Sequence, residues 1–349
     1  MLPEDALTNS NTIRDGIRLA PALVSAAMAD FGIACVVIAL VSLEAASFTA
    51  AQSPTNQPGA EQEPITPIPA APSQDPRRVA LGEQLFQDWR LSHDNARRCL
   101  TCHDTRTNGG SANAHDTTPR GEPIPFNTLT IFNAALSFRL NWEGNFRSLE
   151  REVEHAIGSP ELMASSVEEV VGKLQADPDL VKRFRDAYGR GPDRDNLLDA
   201  IAAFERSLTT PGSRFDRWLA GDAGAITAEE LSGYQLFKSL GCISCHQGVN
   251  VGGNLFQRHG IFHPLGSPEP ELVRVPSLRN VATTPPYFHD GSVATLSEAV
   301  KAMGFAQLGR VLTDDQVAAI VAFLKTLTGT YNGAPVTSAA GPPHAAAPP

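Results

Sequence analysis

Cys99-Leu100-Thr101-Cys102-His103 recurs as Cys242-Ile243-Ser244-Cys245-His246, and these two five-residue strings decide the fold. They use all but one of the cysteines in the chain. Cysteines three apart on a helical turn project to one side, where both can form thioethers to haem vinyl groups. The histidine beside the second cysteine can ligate the iron. The sequence therefore predicts two covalent haem c groups, one held by Cys99, Cys102 and His103 and one by Cys242, Cys245 and His246. The alternatives are a zinc site made from both Cys-x-x-Cys pairs, or two redox-active dithiols. Neither needs a histidine directly after each pair, nor the repeat that surrounds both.

That repeat begins upstream of each motif, with Gly82-Glu83-Gln84-Leu85-Phe86 in the first half and Gly233-Tyr234-Gln235-Leu236-Phe237 in the second. Each half also closes on a matched helix, Ala200-Ile201-Ala202-Ala203-Phe204 against Ala319-Ile320-Val321-Ala322-Phe323, with apolar residues at helical spacing. A first and a last helix crossing over a haem make a c-type cytochrome domain. The expected fold is all-α, two such domains in tandem over residues 77–211 and 212–331, with long loops.

The middle segments share a register without gaps: Asn133 with Asn280, Glu143 with Asp290, Gly144 with Gly291 and Leu149 with Leu296. Carried forward, it sets Met303 opposite Ala156. Outside the N-terminal region the chain has only Met163 and Met303, so few thioethers can bind iron. Met303 is assigned as the sixth ligand of the second haem, the alternative being a core methionine on an amphipathic helix. The first haem, with alanine at the matched position, is expected to have an open or weakly held sixth site, which His115 or His155 can close. An open iron does chemistry, whereas a His/Met iron mainly passes electrons.

The remaining sequence sets the address. Arg14 and Arg18, the apolar run Phe31 to Leu43 and the small residues ending Thr49-Ala50-Ala51 read as an export signal over residues 1–51. Leu19 to Ala29 is also apolar, so retention as an anchor is the alternative to cleavage. Cys35 lies within this segment. Haem c is attached outside the bacterial cytoplasm, so signal and motifs agree on the periplasm. Residues 52–76 and 332–349, rich in Pro and Ala, are expected to be disordered and without chemistry. A net charge of −10 without a basic cluster argues against nucleic acid and suits a basic protein partner.

Two haem domains, one ligated by methionine and one open, resemble the bacterial dihaem cytochrome c peroxidases, a family that includes the MauG-type enzymes. The resemblance covers about residues 77 to 331. It rests on Asn127-Thr128, Phe132-Asn133, Trp142-Glu143-Gly144, Pro276-Ser277-Leu278-Arg279-Asn280, Pro286-Tyr287-Phe288-His289-Asp290-Gly291 and Leu308-Gly309, in family order. It implies that the first haem reduces hydrogen peroxide to water while the second receives electrons from a small cytochrome c or copper protein. It further implies that Trp142 stands between the haems and that Asn127, Thr284 and Pro286 hold a calcium ion between the domains. A homodimer lies within what it allows.

Two departures from the family pattern matter. The family's usual glutamate position on the open side of the first haem is Leu162 here, with Glu161 one residue early. Its distal histidine would fall near Pro119, and His115 is the closest histidine. Breaking the oxygen–oxygen bond needs a base that takes a proton and returns it, and Glu161 is the first candidate, with His115 beside it. The rival functions are a MauG-like oxidase or modifying enzyme, against which Met303 argues because a tyrosine replaces the methionine in that group, and a dihaem electron carrier without catalysis.

Overall fold

The computed structural model describes residues 63–339. The export signal, Cys35, the early part of the linker and the end of the tail lie outside them. Helix α1 (Pro76–Phe86) opens where the Asp75 carboxylate accepts from the Arg77 amide and Pro76 supplies a helical φ with no N–H to satisfy. A long loop carries the first Cys-x-x-Cys-His motif and Trp142 and leads to α2 (Leu149–Gly158), α3 (Val167–Gln175), α4 (Pro178–Tyr188) and α5 (Arg194–Ser207). The second half repeats the plan with α6 (Arg214–Leu219), α7 (Ala228–Ser239), the second motif, α8 (Leu296–Leu308) and α9 (Asp314–Lys325).

The repeat read from the sequence is geometric. Gly82 of α1 lies so close to α5 that a Cβ there would sit 1.9 Å from the Ala200 carbonyl oxygen, and Gly233 of α7 meets the Ala319 carbonyl of α9 at the same 1.9 Å. Only glycine lets these helices cross at that depth. One turn on, Phe86 and Phe204 pack with ring centroids 5.3 Å apart, and Phe237 and Phe323 at 5.2 Å. Ser148 caps α2 and Thr295 caps α8, each accepting the amide three residues ahead. Two cores result. Leu81, Leu85, Leu174, Phe184 and Ile201 fill the first, and Phe215, Tyr234, Phe237, Ile320 and Phe323 the second.

The chain is predominantly helical rather than wholly so. Strand β1 (Phe256–Arg258) pairs antiparallel with β2 (Leu272–Arg274), and β3 (Thr330–Tyr331) with β4 (Ala334–Pro335). The flanking segments also differ from expectation. Residues 63–68, expected in a disordered linker, lie on the second domain, where fully buried Ile65 joins the core. The Tyr234 hydroxyl donates to the Glu63 carboxylate at 2.6 Å and Lys238 pairs with it at 3.0 Å. Buried Arg279 ties this segment down, donating to the Thr66 carbonyl at 2.8 Å while pairing with Asp216 of α6 at 2.7 Å. Conversely, Val336, expected in a disordered tail, is buried in the first core, with Tyr331 against Phe132 at 5.0 Å. Apolar residues in Pro-rich surroundings found cores on the opposite domain, a gain no composition rule registers. Among the described residues no helix is long and apolar enough to cross a membrane.

Candidate functional site

Both cysteine motifs form a single helical turn, Cys99–Thr101 and Cys242–Ser244, and in both the histidine amide donates back to the first cysteine's carbonyl at 3.0 Å. The ring geometry matches as well. His103 Nδ1 faces the Gly109 carbonyl at 3.3 Å and His246 Nδ1 faces the Val251 carbonyl at 3.2 Å. A proton held on Nδ1 leaves Nε2 with its lone pair free, the arrangement of a metal-ligating histidine. Burial lowers the basicity of both rings, that of His246 to about 4, so the neutral ligand form is kept. Burial also pushes the Cys102 thiol up to about 12 and Cys242 to about 11, and raises Cys99 further. Cys99 packs against the first core and Cys242 against the second, so the two pairs do not form one zinc site.

A cavity of 510 Å³ opens beside the first motif, lined by Cys99, Cys102 and His103. Its volume, apolar wall and converging ligand and thiol groups fit a covalent haem. The opposite wall comes from α2 and the loop after it, including Ala156, Glu161, Leu162 and buried Met163. Glu161 stands exposed at the rim, its amide on the Ser159 hydroxyl. His155 lines the cavity and packs on Phe146 at 4.9 Å. His115 is not brought to the wall; its Nδ1 faces the Ile124 carbonyl at 2.8 Å in the loop outside. Met303 lies half-buried on α8, the helix that matches α2.

Trp142 is buried and faces both halves. It lines the first cavity, donates from Nε1 to the Asn127 carbonyl at 2.7 Å, and meets the ring of His289 from the second half edge-on at 6.2 Å. The Asn127 amide in turn donates to the His289 carbonyl at 2.8 Å. Asn127 is buried, and its side-chain nitrogen donates to the carbonyls of Asn113 and Ala114, which leaves the side-chain oxygen as the available ligand atom. Thr284 and Pro286 lie on the turn just before His289.

Sequence reasoning missed two carboxylates. Glu152 of α2 and Glu205 of α5 both line the first cavity. Burial raises both well above the ordinary carboxylate range, and the charge of Glu152 adds to the rise at Glu205. The signal lay in the repeat: the matched positions of the second half are apolar, Ala299 and Leu324, both buried.

A family model for di-haem cytochrome c peroxidases matches residues 76–224, and a cytochrome c model matches residues 231–328. A cytochrome c551 peroxidase of Nitrosomonas europaea is 38% identical over 285 residues, covering 77% of this chain and 85% of that protein. Another cytochrome c551 peroxidase, from Pseudomonas aeruginosa, is 36% identical over 288 residues, covering 76% of this chain and 83% of that protein. Among solved structures, a MauG-like protein associated with microbial copper homeostasis superposes with a TM-score of 0.65 at 26% identity, covering 76% of this chain and 94% of that one. With two cytochrome c-type domains and these relatives over most of its length, the chain belongs to the dihaem cytochrome c peroxidase family.

Proposed function

We propose that this chain reduces hydrogen peroxide to water in the periplasm, with electrons from a small cytochrome c or copper protein entering at the second haem and used at the first. The observation that carries the reading is the asymmetry of two matched helices: α2 offers Ala156 to the first cavity where α8 carries Met303. Haem held by Cys99, Cys102 and His103 would supply the redox chemistry of peroxide reduction, and haem held by Cys242, Cys245 and His246 would supply electron transfer.

The chain's own residues do the rest. His103 and His246 present Nε2 because their Nδ1 atoms are held by backbone carbonyls. Met303 would supply a thioether to the second haem, which would favour a high potential there. Ala156 and Leu162 leave the first site open to a small ligand. Glu161, at the rim, takes the first proton of peroxide and returns it to the departing oxygen, and His155, which lines the same cavity, is the alternative shuttle. Trp142, fixed by Asn127 and backed by His289, occupies the route between the domains. Asn127, Thr284 and Pro286 supply hard oxygen ligands for a calcium ion beside that route.

Steady-state oxidation of a reduced small cytochrome c upon adding peroxide to the doubly haem-loaded protein tests the reading. Sustained turnover is expected; a loaded protein that never oxidises the donor would reduce it to an electron carrier. Met303→His separates the sites, because imidazole stabilises ferric iron more than a thioether does. Both haems should stay attached and the potential of the second should fall. An unmoved potential would remove Met303 from the ligand set.

A further inference from the structure

We propose that Glu152 and Glu205 together form a one-proton site in the wall of the first haem cavity, taking up a proton from solvent when an electron enters at that haem and releasing it when the electron leaves. The inference rests on the first motif holding a haem, as read above, and not on which substrate that haem meets.

Position comes first. Glu152 lies on α2 one turn before Ala156, and residues four apart share a helix face. It therefore points from the same side as the position matched by Met303 in the second half. Glu205 reaches the same cavity from α5, in the run Ala200 to Ser207 that crosses α1. Neither carboxylate accepts a hydrogen bond from any group among the described residues, and Glu205 Oε2 is buried without a partner. In the second domain Ala299 and Leu324 fill these places, so the crossing of helices does not need carboxylates.

Charge comes second. Among the described residues no cation forms an ion pair with either carboxylate. Arg206 is paired with Glu150, Arg78 of α1 with Asp199 at 3.3 Å, and Lys173 of α3 with Glu169 at 2.9 Å. Around the cavity, Arg97 donates to the Thr117 and Thr118 carbonyls, Arg98 lies over the Trp89 ring at 4.4 Å, and Arg274 donates to the Asn141 carbonyl at 2.9 Å. Asp116 is held by Ser111, Asn113 and Thr128, while Glu143 and Glu161 are exposed and His155 packs on Phe146. Two carboxylates that face one cavity without partners and repel each other's charge do not ionise together, so the proton belongs to the pair. Burial raises the affinity of both carboxylates for it.

A ferric haem carries one more positive charge than a ferrous one, and that charge favours the pair that holds a single proton. Adding one electron removes it, so the pair's affinity for its second proton rises and one proton enters from water. Reoxidation returns it. The reductant is the redox partner, or any mild one-electron donor in its place.

The test is a spectroelectrochemical titration of the first haem in the doubly loaded protein, from about pH 5 to about pH 9, the range that spans a raised carboxylate. In the parent protein the oxidised-to-reduced ratio at fixed potential should change about tenfold per pH unit over part of that range, one proton per electron. Glu152→Gln and Glu205→Gln should each cut this to about twofold or less, with both haems still attached. If Glu205→Gln does not fold, Glu152→Gln carries the result. A flat parent profile, or an undiminished slope in the folded variants, would overturn the proposal. No peroxide is present, so a protein inactive as a peroxidase but proton-coupled would keep this site and lose the functional reading.

Discussion

Asn133 and Asn280, matched residues of the two halves, donate their side-chain amides to a single hydroxyl, Thr210 Oγ, at 2.8 and 3.0 Å. Both have left-handed backbones, with φ of 62° and 60°, and each opens a single helical turn. Their side-chain oxygens accept from matched backbone amides, Thr210 for Asn133 and Gly329 for Asn280, both at 2.9 Å. The hydroxyl's two lone pairs let one side chain serve both. Only one half can carry it, since a Cβ on Gly329 would sit 1.9 Å from the Thr210 carbonyl oxygen.

Thr210→Val keeps the shape and removes the acceptor shared by two buried amides. An unsatisfied buried donor costs about 1–3 kcal/mol. Urea unfolding should show a loss of at least that size with an unchanged slope, and the loss should appear in probes of both domains. A loss confined to one domain would show that the shared hydroxyl does not couple them.

Gly82→Ala and Gly233→Ala each drive a methyl into a carbonyl oxygen of the crossing helix. The obstacle is backbone, so each change should cost about 3 kcal/mol or more. Domain selectivity is the informative part: covalent haem counted by absorbance and mass should be reduced at the first motif in Gly82→Ala and at the second in Gly233→Ala. Equal loss at both motifs in either variant would contradict two separate crossings.

Trp142→Phe keeps an aromatic wall but abandons the Asn127 carbonyl, at about 1–3 kcal/mol. Stopped-flow transfer of an electron from the reduced second haem to the first should slow by about tenfold or more, while the potentials of both haems stay put. An unchanged rate would give Trp142 a packing role only.

Acidity separates the carboxyl pair from ordinary surface acids. The unfolded chain releases these protons above about pH 4.3, while the native pair still holds one, so the unfolded state binds fewer protons there. The pair's contribution to stability therefore falls as pH rises above that value, for as long as the native pair keeps a proton. Glu152→Gln should be more stable than the parent by about 1–3 kcal/mol at about pH 8 and no more stable at about pH 4. Denaturation at both values checks it; a variant destabilised equally at both would show that the carboxylate is satisfied when charged.

The haem motifs, crossing helices and repeat were legible because each depends on a local string or a helical period. Gly82, Gly233 and the phenylalanines that follow them carry the fold in a form a sequence displays. His115 and Glu161 were harder. Which side of a long loop faces a cavity depends on tertiary packing, so His115 ended outside and Glu161 at the rim. Glu152 looked like a solvated helix carboxylate among Glu150 and Glu154, and only the helix rotation set by Leu149, Val153 and Ile157 turns it inward. Ile65 and Val336 were hidden for another reason: an isolated apolar residue in a Pro-rich segment has no periodicity to announce its partner.

Ile65 before α1 completes the second core, and Val336 after α9 completes the first. The two flanking segments thus exchange domains, each acting as a clasp on the neighbour. Cutting between α5 and α6 would not yield two free-standing cytochromes, because each piece would carry the other's missing plug and lack its own. Melting either half must first release a segment anchored in the other, so part of each domain's stability is set by a stretch of chain that lies outside it.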